Sequence, residues 1–595
     1  MSRCLLQISI GPVQDFIAAA RRTRDLWFGS FMLSEISKAA AKAVDDAGGH
    51  LIFPNFDGLE KDEINDKAFN VANVILAKVD GEERAREVSH LAKAAAEEQW
   101  LVFVDEARNK LRGHVDESAW DYQKTGVIEF YSAWHPFDDD SYGASRQAAA
   151  RLLAARKNLR DFAPWDGKHG VLKSSLDGMR ESVLIDNSAS KNIKGVRIKA
   201  GEALDLVGCV KRAAGGDAPF PSVVRIALDP WIRGIKEEKA KSYLADLKGC
   251  CEELKKQGVL SNVQGAEFPY EGPALLPHRY AEFQEGAENP DAVKAITDKM
   301  GAIMANLYKT NRVTEPYLAV LSADGDRVGQ AISSLTCLED HQKFSRQLSK
   351  FAGQAREIIK KYCGSCVYTG GDDVLAFLPV DNVLKCAREL YEKFREPWKD
   401  GANLKTVPTL SVGIAIAHAS EDLESLLSFG RDAEKLAKHG DSEGDADIDR
   451  KGLAITVRAR GNSEFHVREQ WKDVSSAEKQ LSQMSLDKRV IFWARRFAER
   501  RIPSKFPYEL RGAAKFYDRW ETEGNLDEAM RFDVKRIFGR KDLQLLGVER
   551  ERVMEYIEDV VKGSYKSIEK LSDELLAAQW IGAAYIAAAG KWSND

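Results

Sequence analysis

The order of β-rich and helical patterns between residues 317 and 417 is the feature that most restricts the fold of this chain. It predicts a β-α-β-β-α-β order, which is typical of a ferredoxin-like sheet covered by helices. The predicted elements are strand Tyr317 to Ala323, a helix with apolar residues at helical spacing from Phe344 to Ile359, strands Cys366 to Thr369 and Val374 to Leu378, helix Asn382 to Phe394 and strand Thr409 to Ala417. A helix, Leu423 to Lys438, and a possible edge strand, Gly452 to Val457, follow.

The same order occurs near the N-terminus. The predicted elements there are strand Arg3 to Ile10, helix Val13 to Val44, strands Leu51 to Phe53 and Val71 to Val79, helix Glu82 to Leu111 and strand Gly126 to Tyr131. Two ferredoxin-like units are therefore expected in one chain.

Four carboxylates are expected to converge in the second unit. Asp324 and Asp326 lie just past its first strand, and Asp372 and Asp373 lie in the turn between its two short strands. Such oxygen ligands suit Mg²⁺ or Mn²⁺, and two ions can stabilise the attacking and leaving oxygens in nucleotidyl transfer from a triphosphate. We predict all four as metal ligands, and Asp372 and Asp373 as catalytic residues.

The residues around the acids suggest contacts to phosphate. Gly370 and Gly371 free the turn backbone and let a phosphate approach main-chain N–H groups, so both are predicted to bind nucleotide. Lys438 is a candidate for the same role, although a solvated lysine on a helix face is an equal alternative. Gly and Asp are common turn residues, so either acidic motif alone would indicate an ordinary turn. Together they favour a cation site, because unpaired like charges at one point are costly.

Length and pattern predict several domains. At 595 residues the chain exceeds what one core usually organises. Mostly helical patterns, interrupted by strand-like Val223 to Leu228, join the two units, and a helical, aromatic, charge-rich segment ends the chain. The expected fold is α+β, with two ferredoxin-like palm domains of the polymerase/cyclase kind. Its predicted domains are a first, non-catalytic palm (1–139), a mostly helical linking domain (140–312), a catalytic palm (313–460) and a C-terminal helical domain (461–595).

Composition excludes several classes of protein. The net charge of −5 gives no global attraction to nucleic acid, so any RNA contact needs local basic patches. Eight scattered cysteines and the lack of a signal-type apolar segment predict a cytoplasmic protein with no membrane association. Leu575 to Gly590 is too short to cross a bilayer and predicts a buried helix. Cys363 and Cys366 are interpreted as core thiols rather than zinc ligands.

Two basic stretches carry weaker signals. The paired basic residues between Lys488 and Arg501, interleaved with Phe492, Trp493 and Phe497, fit either an RNA or subunit contact or the solvated face of an amphipathic helix. A second group, Arg21, Arg22 and Arg24, could meet phosphate or protein, and no role is assigned to it.

Several motifs resemble the large subunit of type III CRISPR effector complexes. The second unit carries Ser322-Ala323-Asp324-Gly325-Asp326 and the run from Val367 through Gly370-Gly371-Asp372-Asp373 to Phe377. The N-terminal unit resembles the first palm of the Cmr (III-B) type in Gly11-Pro12-Val13-Gln14-Asp15-Phe16-Ile17, Ala20-Arg21-Arg22-Thr23-Arg24-Asp25-Leu26-Trp27 and Gly29-Ser30. A third match runs from Gly201-Glu202 to Val210-Lys211-Arg212.

The resemblance implies a subunit of an RNA-guided antiviral complex that holds guide RNA, target RNA and other III-B subunits. In the family, target pairing switches on the second palm, which converts ATP into cyclic oligoadenylate. The first palm has Gly11-Pro12 where the second has its acids, so it is expected to hold a nucleotide, near Gly11 and Gln14, without catalysing.

The sequence departs from the family pattern in two places. Many relatives begin with an HD nuclease domain, but none of the ten histidines here is followed by Asp and the first palm begins almost at Met1. No HD-type nuclease activity is therefore expected. Relatives often have zinc-ligating cysteines between the palms, whereas Ser174 to Gly178, the matching segment, has none, so zinc is doubtful.

Other functions are compatible with the same set of acids. The same acids could join AMP to an acceptor such as S-adenosylmethionine, because they activate phosphates and say little about the nucleophile. A diguanylate cyclase is a more distant alternative, since such enzymes usually have Glu and Phe after Gly-Gly-Asp and lack a second palm. A scaffold that only binds nucleotide is the non-enzymatic alternative.

Overall fold

The computed structural model describes residues 3–590 with internal gaps. The gaps are 58–59, 67–68, 139–140, 160–166, 168–169, 194, 217–219, 264, 266, 312–314, 399–403, 440–449, 461–462, 473–479, 519–525, 541–547 and 561–564.

The N-terminal unit is an antiparallel sheet with the strand order β2-β3-β1-β4, which confirms the ferredoxin-like prediction. Its elements are β1 (Arg3–Gly11), α1 (Gln14–Ala18), α2 (Thr23–Asp46), β2 (His50–Phe53), α3 (Lys61–Asn65), β3 (Val74–Val79), α4 (Glu82–Leu111), α5 (Glu117–Gln123) and β4 (Glu129–Phe137). The buried faces of α2 and α4 pack together in one apolar core with the sheet.

Two details of this unit differ from the prediction. The helix predicted over Val13 to Val44 is two helices, because the chain leaves helical geometry between α1 and α2. The fourth strand begins at Glu129 and continues to Phe137, later than the predicted Gly126 to Tyr131. This strand, β4, lies at the edge of the sheet and pairs with β1 along the whole length of β1.

The linking region is mostly helical, as predicted. Its elements are α6 (Tyr142–Asn158), β5 (Lys191–Ile193), β6 (Val196–Ile198), α7 (Leu206–Ala213), α8 (Val223–Ala227), α9 (Asp229–Arg233), α10 (Glu238–Lys256), two 3₁₀ turns (Gly272–Leu275 and Pro277–Arg279), α11 (Ala281–Gln284) and α12 (Pro290–Thr310). The strand predicted at Val223 to Leu228 was wrong: Ser222 caps the segment as the short helix α8. A short apolar run does not by itself distinguish a strand from a buried helix.

The second sheet has six strands in the order β12-β11-β10-β7-β9-β8. Its elements are β7 (Tyr317–Asp326), α13 (Val328–Ser334), α14 (Leu338–Lys361), β8 (Ser365–Thr369), β9 (Val374–Pro379), α15 (Val383–Arg395), a 3₁₀ turn (Glu396–Trp398), β10 (Thr409–His418), α16 (Leu423–His439), β11 (Gly452–Ala459) and β12 (Ser463–Gln470). The β10-β7-β9-β8 part is ferredoxin-like, as predicted. The possible edge strand is internal, since β12 covers β11 and carries the sheet past residue 460.

The C-terminal segment is helical and packs on the second sheet. Its elements are a 3₁₀ turn (Leu481–Gln483), α17 (Leu486–Ala498), α18 (Phe506–Asp518), α19 (Leu526–Arg540), α20 (Val548–Val560) and α21 (Tyr565–Ala589). One apolar core runs from β7 and β10 into α17 and α21. The apolar stretch from Leu575 lies in α21, where its residues are buried or half-buried except Ala583. In the part of the chain that the structure describes, no helix is both long and apolar enough to span a bilayer.

The two palms contact each other through α14 and the turn before β9. Gln342 and Arg346 on α14 donate hydrogen bonds to the Leu51 carbonyl at 3.0 Å and to Asn55 Oδ1 at 3.1 Å. The side-chain amide of Asn70 donates to the carbonyl of Thr369 at 3.2 Å and to its hydroxyl at 3.0 Å. The first palm thus touches the residue that precedes the acidic turn.

Candidate metal centre

Sheet register brings the acidic turn beside the end of β7. Ala323 of β7 pairs with Val374 of β9. Asp324 comes directly after Ala323 and Asp373 comes directly before Val374, so the two acids lie at the same end of this antiparallel strand pair. The N–H of Gly370 donates to the carbonyl of Asp373 at 3.0 Å and closes the turn. The central position of β7 between β9 and β10 therefore fixes where the acids meet.

Three of the four predicted acids form a cluster. Asp324, Asp372 and Asp373 each offer a carboxylate oxygen, and these oxygens lie within 4.8 Å of one another. All three side chains are partly buried. Hard oxygen donors at this spacing fit a divalent cation such as Mg²⁺ or Mn²⁺.

Burial and mutual repulsion set the protonation of the cluster. Burial, then the charge of Asp324, raises the pKa of Asp372 to about 6. Burial, then a hydrogen bond with Asp324 and the neighbouring charges, raises the pKa of Asp373 to about 9. Burial opposes ionisation of Asp324 too, but hydrogen bonds with Asp373 and Lys438 outweigh it and hold the Asp324 pKa below its ordinary value. The group keeps a proton that a bound cation would displace.

Glycines make the close approach possible. A Cβ at Gly370 would lie 1.8 Å from the Tyr368 hydroxyl, and Gly371 has φ +100°. At Gly325, a Cβ would lie 2.7 Å from the Cβ of Asp372. A side chain at Gly325 would push the turn away from β7, one at Gly370 would collide with the Tyr368 side chain, and one at Gly371 would strain the backbone.

Lys438, a predicted phosphate contact, lies beside the cluster. Its ammonium group is 2.7 Å from Asp324 Oδ2 and 2.8 Å from Glu434 Oε1, one helical turn away on α16. Helix α16 packs close to the sheet because Gly413 has no side chain: a Cβ there would lie 2.1 Å from the backbone nitrogen of Glu434. The Ser322 hydroxyl also donates to Glu434, which the sequence analysis missed.

Asp326 is not part of the cluster. Its fully buried carboxylate accepts hydrogen bonds from Thr409 Oγ1 at 2.7 Å, Ser411 Oγ at 2.8 Å and the backbone N–H of Lys451 at 3.0 Å. The last donor lies in a turn where Arg450 and Lys451 both have positive φ, at 67° and 50°. Asp326 therefore anchors β10 and the start of β11, and it is not among the three acids whose carboxylate oxygens cluster.

The predicted nucleotide contacts of the first palm are placed as follows. Gly11 ends β1 opposite Glu129, and Gln14 begins α1 with an exposed side chain. Neither belongs to the three-acid cluster, and the described contact of this palm with the acidic turn is made by Asn70. No pattern around Asn70 indicated this contact in the sequence.

Two family models match the chain. Cas10/Cmr2, second palm domain, matches residues 317–446, and CRISPR-associated protein Cmr2, N-terminal, matches residues 5–105. The first match contains the whole acid cluster.

Similar proteins are known in sequence and in structure. The CRISPR system Cmr subunit Cmr2 of Pyrococcus furiosus is 25% identical over 524 residues, which cover 72% of this chain and 59% of that relative. Chains of the type III-B Cmr-beta complex, in the apo state and bound to cognate target RNA, match with TM-scores of 0.59 and 0.60 at 14% identity. These alignments cover 91% of this chain and 78% and 79% of the other chains, and they show that the fold is shared.

The two sheets and the acid cluster define a double-palm protein whose second palm has a nucleotidyltransferase-type fold. The matches to both palms narrow that class. The chain is similar to Cas10/Cmr2 proteins in both palms and to a Cmr2 subunit over much of its sequence.

Proposed function

We propose that the second palm transfers nucleotidyl groups from ATP and, in an RNA-guided III-B complex with bound target RNA, makes cyclic oligoadenylate. The observation that carries the proposal is the cluster of Asp324, Asp372 and Asp373, with carboxylate oxygens within 4.8 Å of one another. Similarity to Cas10/Cmr2 proteins supports the proposed product and assembly.

The proposed step joins two adenosine nucleotides. The 3′ hydroxyl of one loses its proton to solvent and attacks the α-phosphorus of the other, the bond from that phosphorus to the oxygen bridging to the β-phosphate breaks, and pyrophosphate leaves. Divalent cations at the three acids would offset the charge that develops on the phosphate oxygens. Attack by the terminal hydroxyl of a short oligomer on its own α-phosphorus closes the ring, with the same leaving group.

The chain's own residues have distinct parts in this proposal. Asp324, Asp372 and Asp373 hold the cations, and the turn glycines leave room for the triphosphate. Lys438, kept near the acids by Glu434, is placed to donate to a phosphate oxygen. The Asn70 contact with Thr369 links the first palm to the turn, so a change in how the palms meet would reach the catalytic residues.

The test is product analysis on the assembled complex. Purified complex with guide RNA is incubated with labelled ATP and Mg²⁺ or Mn²⁺, with and without matching target RNA and with and without S-adenosylmethionine, and products are identified by mass. The Asp372→Ala/Asp373→Ala double variant removes the cluster, and Glu357→Gln, on the exposed surface of α14, is the matched control.

The outcomes separate the candidate functions. We expect target-dependent cyclic oligoadenylate from the wild type and Glu357→Gln, and none from the double variant. A product that appears only with S-adenosylmethionine would show that this molecule is the acceptor, with the same acids as the catalytic site. ATP binding without any target-dependent product would favour the nucleotide-binding scaffold.

A further inference from the structure

A cavity of about 730 Å³ lies where three parts of the chain meet, and no residue of the acid cluster lines it. Its walls come from the break between α1 and α2, from the β5–β6 hairpin with nearby loops of the linking region, and from the turn before α16 in the second palm. Its volume is in the range of pockets that bind small ligands, about 300–1,000 Å³.

Arg22, the N-cap residue of α2, faces this cavity. Within the described part of the chain, no protein group accepts a hydrogen bond from its partly buried guanidinium. Its neighbours differ: Arg24 donates to three backbone carbonyls, including that of Arg212 at 2.8 Å, and Arg212 pairs with Asp25 at 2.6 Å and Glu202 at 2.9 Å. Among the described residues, the Arg22 guanidinium therefore has no protein acceptor, and it lines the cavity.

The charges around Arg22 make its position costly. Burial, then the positive charges of Arg212 and Arg197, lowers the pKa of Arg22 to about 10, although Asp25 and Glu202 partly offset them. Burial also lowers the pKa of Arg197, which lies over the Phe283 ring, although the charges of Glu282, Glu271 and Glu285 partly offset the effect. Glu271 lines the cavity as well, but its carboxylate accepts the N–H of Ser222, and burial raises its pKa. An oxyanion between Arg22 and Arg197 would offset both positive charges.

The rest of the lining restricts what fits. Exposed carboxylates of Glu421, Asp422 and Glu424 lie at the turn before α16. A chain of phosphates crossing that turn would be repelled, so a polynucleotide is disfavoured. Four further lining residues are the exposed Ser261 and Asn262, which offer hydrogen-bonding groups, and the buried Phe220 and Phe283, which offer apolar surface. This lining suits a small ligand with one anionic group and an apolar or aromatic body.

We propose that this cavity binds a small organic phosphate monoester of about nucleotide size, with its phosphate held by Arg22 and Arg197. The site is separate from the acid cluster and does not depend on the function proposed for it. Because the walls come from both palms and the linking region, a bound ligand would stabilise the arrangement of all three.

The test uses the full chain in EDTA, where no divalent cation can hold phosphate at the acid cluster. AMP, inorganic phosphate and adenosine are titrated by calorimetry into the wild type, Arg22→Gln and Arg86→Gln. Arg86 is an exposed arginine of α4 outside the cavity lining and serves as the matched control. We expect AMP to bind more tightly than phosphate or adenosine, and Arg22→Gln to weaken AMP binding about tenfold or more while Arg86→Gln leaves it unchanged.

A second readout separates ligand binding from a structural role. Removing the unpaired charge should leave the ligand-free Arg22→Gln chain with a melting temperature equal to or above that of the wild type. The proposal is overturned if neither AMP nor phosphate binds, if adenosine binds as well as AMP, or if Arg22→Gln binds AMP as tightly as the wild type. A marked loss of thermal stability in ligand-free Arg22→Gln would show that Arg22 supports the fold instead.

Discussion

The three clustered acids share one function in this account, but the protein surrounds each carboxylate differently. Asp324 has a positive partner in Lys438, whereas Asp372 and Asp373 face mainly other carboxylates. The metal-free site therefore retains a proton, and a cation relieves the repulsion that keeps it there.

Changing Asp373 to Asn should make the metal-free protein less sensitive to pH. The folded pKa of Asp373 is raised to about 9, so over the window from about pH 4, the unfolded value, to 9 the folded state binds more protons than the unfolded state. The protonated Asp373 contributes its full share to folding stability below that window, and this contribution is lost as pH rises through the window. The side-chain amide that Asp373→Asn introduces can still donate to Asp324 and does not ionise.

Thermal melts in EDTA from pH 5 to 9 measure this effect. The melting temperature of Asp373→Asn should rise relative to that of the wild type as pH increases. A constant difference across this range would contradict the assigned protonation.

The meeting of three acids could be predicted at the residue scale, but the hydrogen-bond partners of Asp326 could not. Asp324, Asp372 and Asp373 follow from strand order and turn chemistry, which are visible in the sequence. The partners of Asp326 come from β10 and from Lys451, 125 residues further along, and no local pattern encodes that meeting. From the spacing of the acids alone, Asp326 was predicted to be a metal ligand like Asp324.

Removing the Asp326 carboxylate should therefore damage the fold more than the metal site. Asp326→Ala leaves a buried donor on Ser411 and half-buried donors on Thr409 and Lys451 without their acceptor, which should destabilise the second palm by about 3 kcal/mol. Urea denaturation measures this, with Glu357→Gln as the control. Mn²⁺ binding in the folded fraction should persist, and its loss would return Asp326 to the metal ligands.

At the scale of elements, helix α16 positions Lys438 by lying close to β10. The sequence predicted both elements, but the residue that allows their contact, Gly413, was recognisable only once the two were seen together. The broken first helix and the helical Val223–Ala227 were also missed, because apolar spacing does not reveal a break or distinguish a short buried helix from a strand.

A methyl group at Gly413 should push α16 away from the sheet. In Gly413→Ala the new Cβ would meet α16 backbone at 2.1 Å, so we expect lower stability and lower nucleotidyl transfer together. Gly353→Ala on α14 is the matched control, since nothing lies within 4 Å of its new Cβ and Ala favours a helix by about 1 kcal/mol. Equal melting temperatures for the two variants would contradict the packing argument.

At the scale of the whole molecule, two palms of related topology contribute differently to the candidate site. The second palm carries the acids, and the first contacts the turn through Asn70. The repeat of β-α-β-β-α-β order was visible in the sequence, whereas the contact between the palms depends on side chains 299 residues apart.

Asn70→Ala should separate metal binding from catalysis. Loss of its hydrogen bonds to Thr369 should lower product formation by the complex about tenfold, because the turn is less well held, and leave Mn²⁺ affinity unchanged. Unchanged product formation would show that this contact has no part in catalysis.

The central claim, that Asp324, Asp372 and Asp373 together hold divalent cations, is tested most directly by Mn²⁺ titration of the chain at pH 8, followed by electron paramagnetic resonance. We predict saturable binding to the wild type and to Glu357→Gln, and loss of that binding in Asp373→Asn. Equal Mn²⁺ binding by Asp373→Asn and the wild type would contradict the claim.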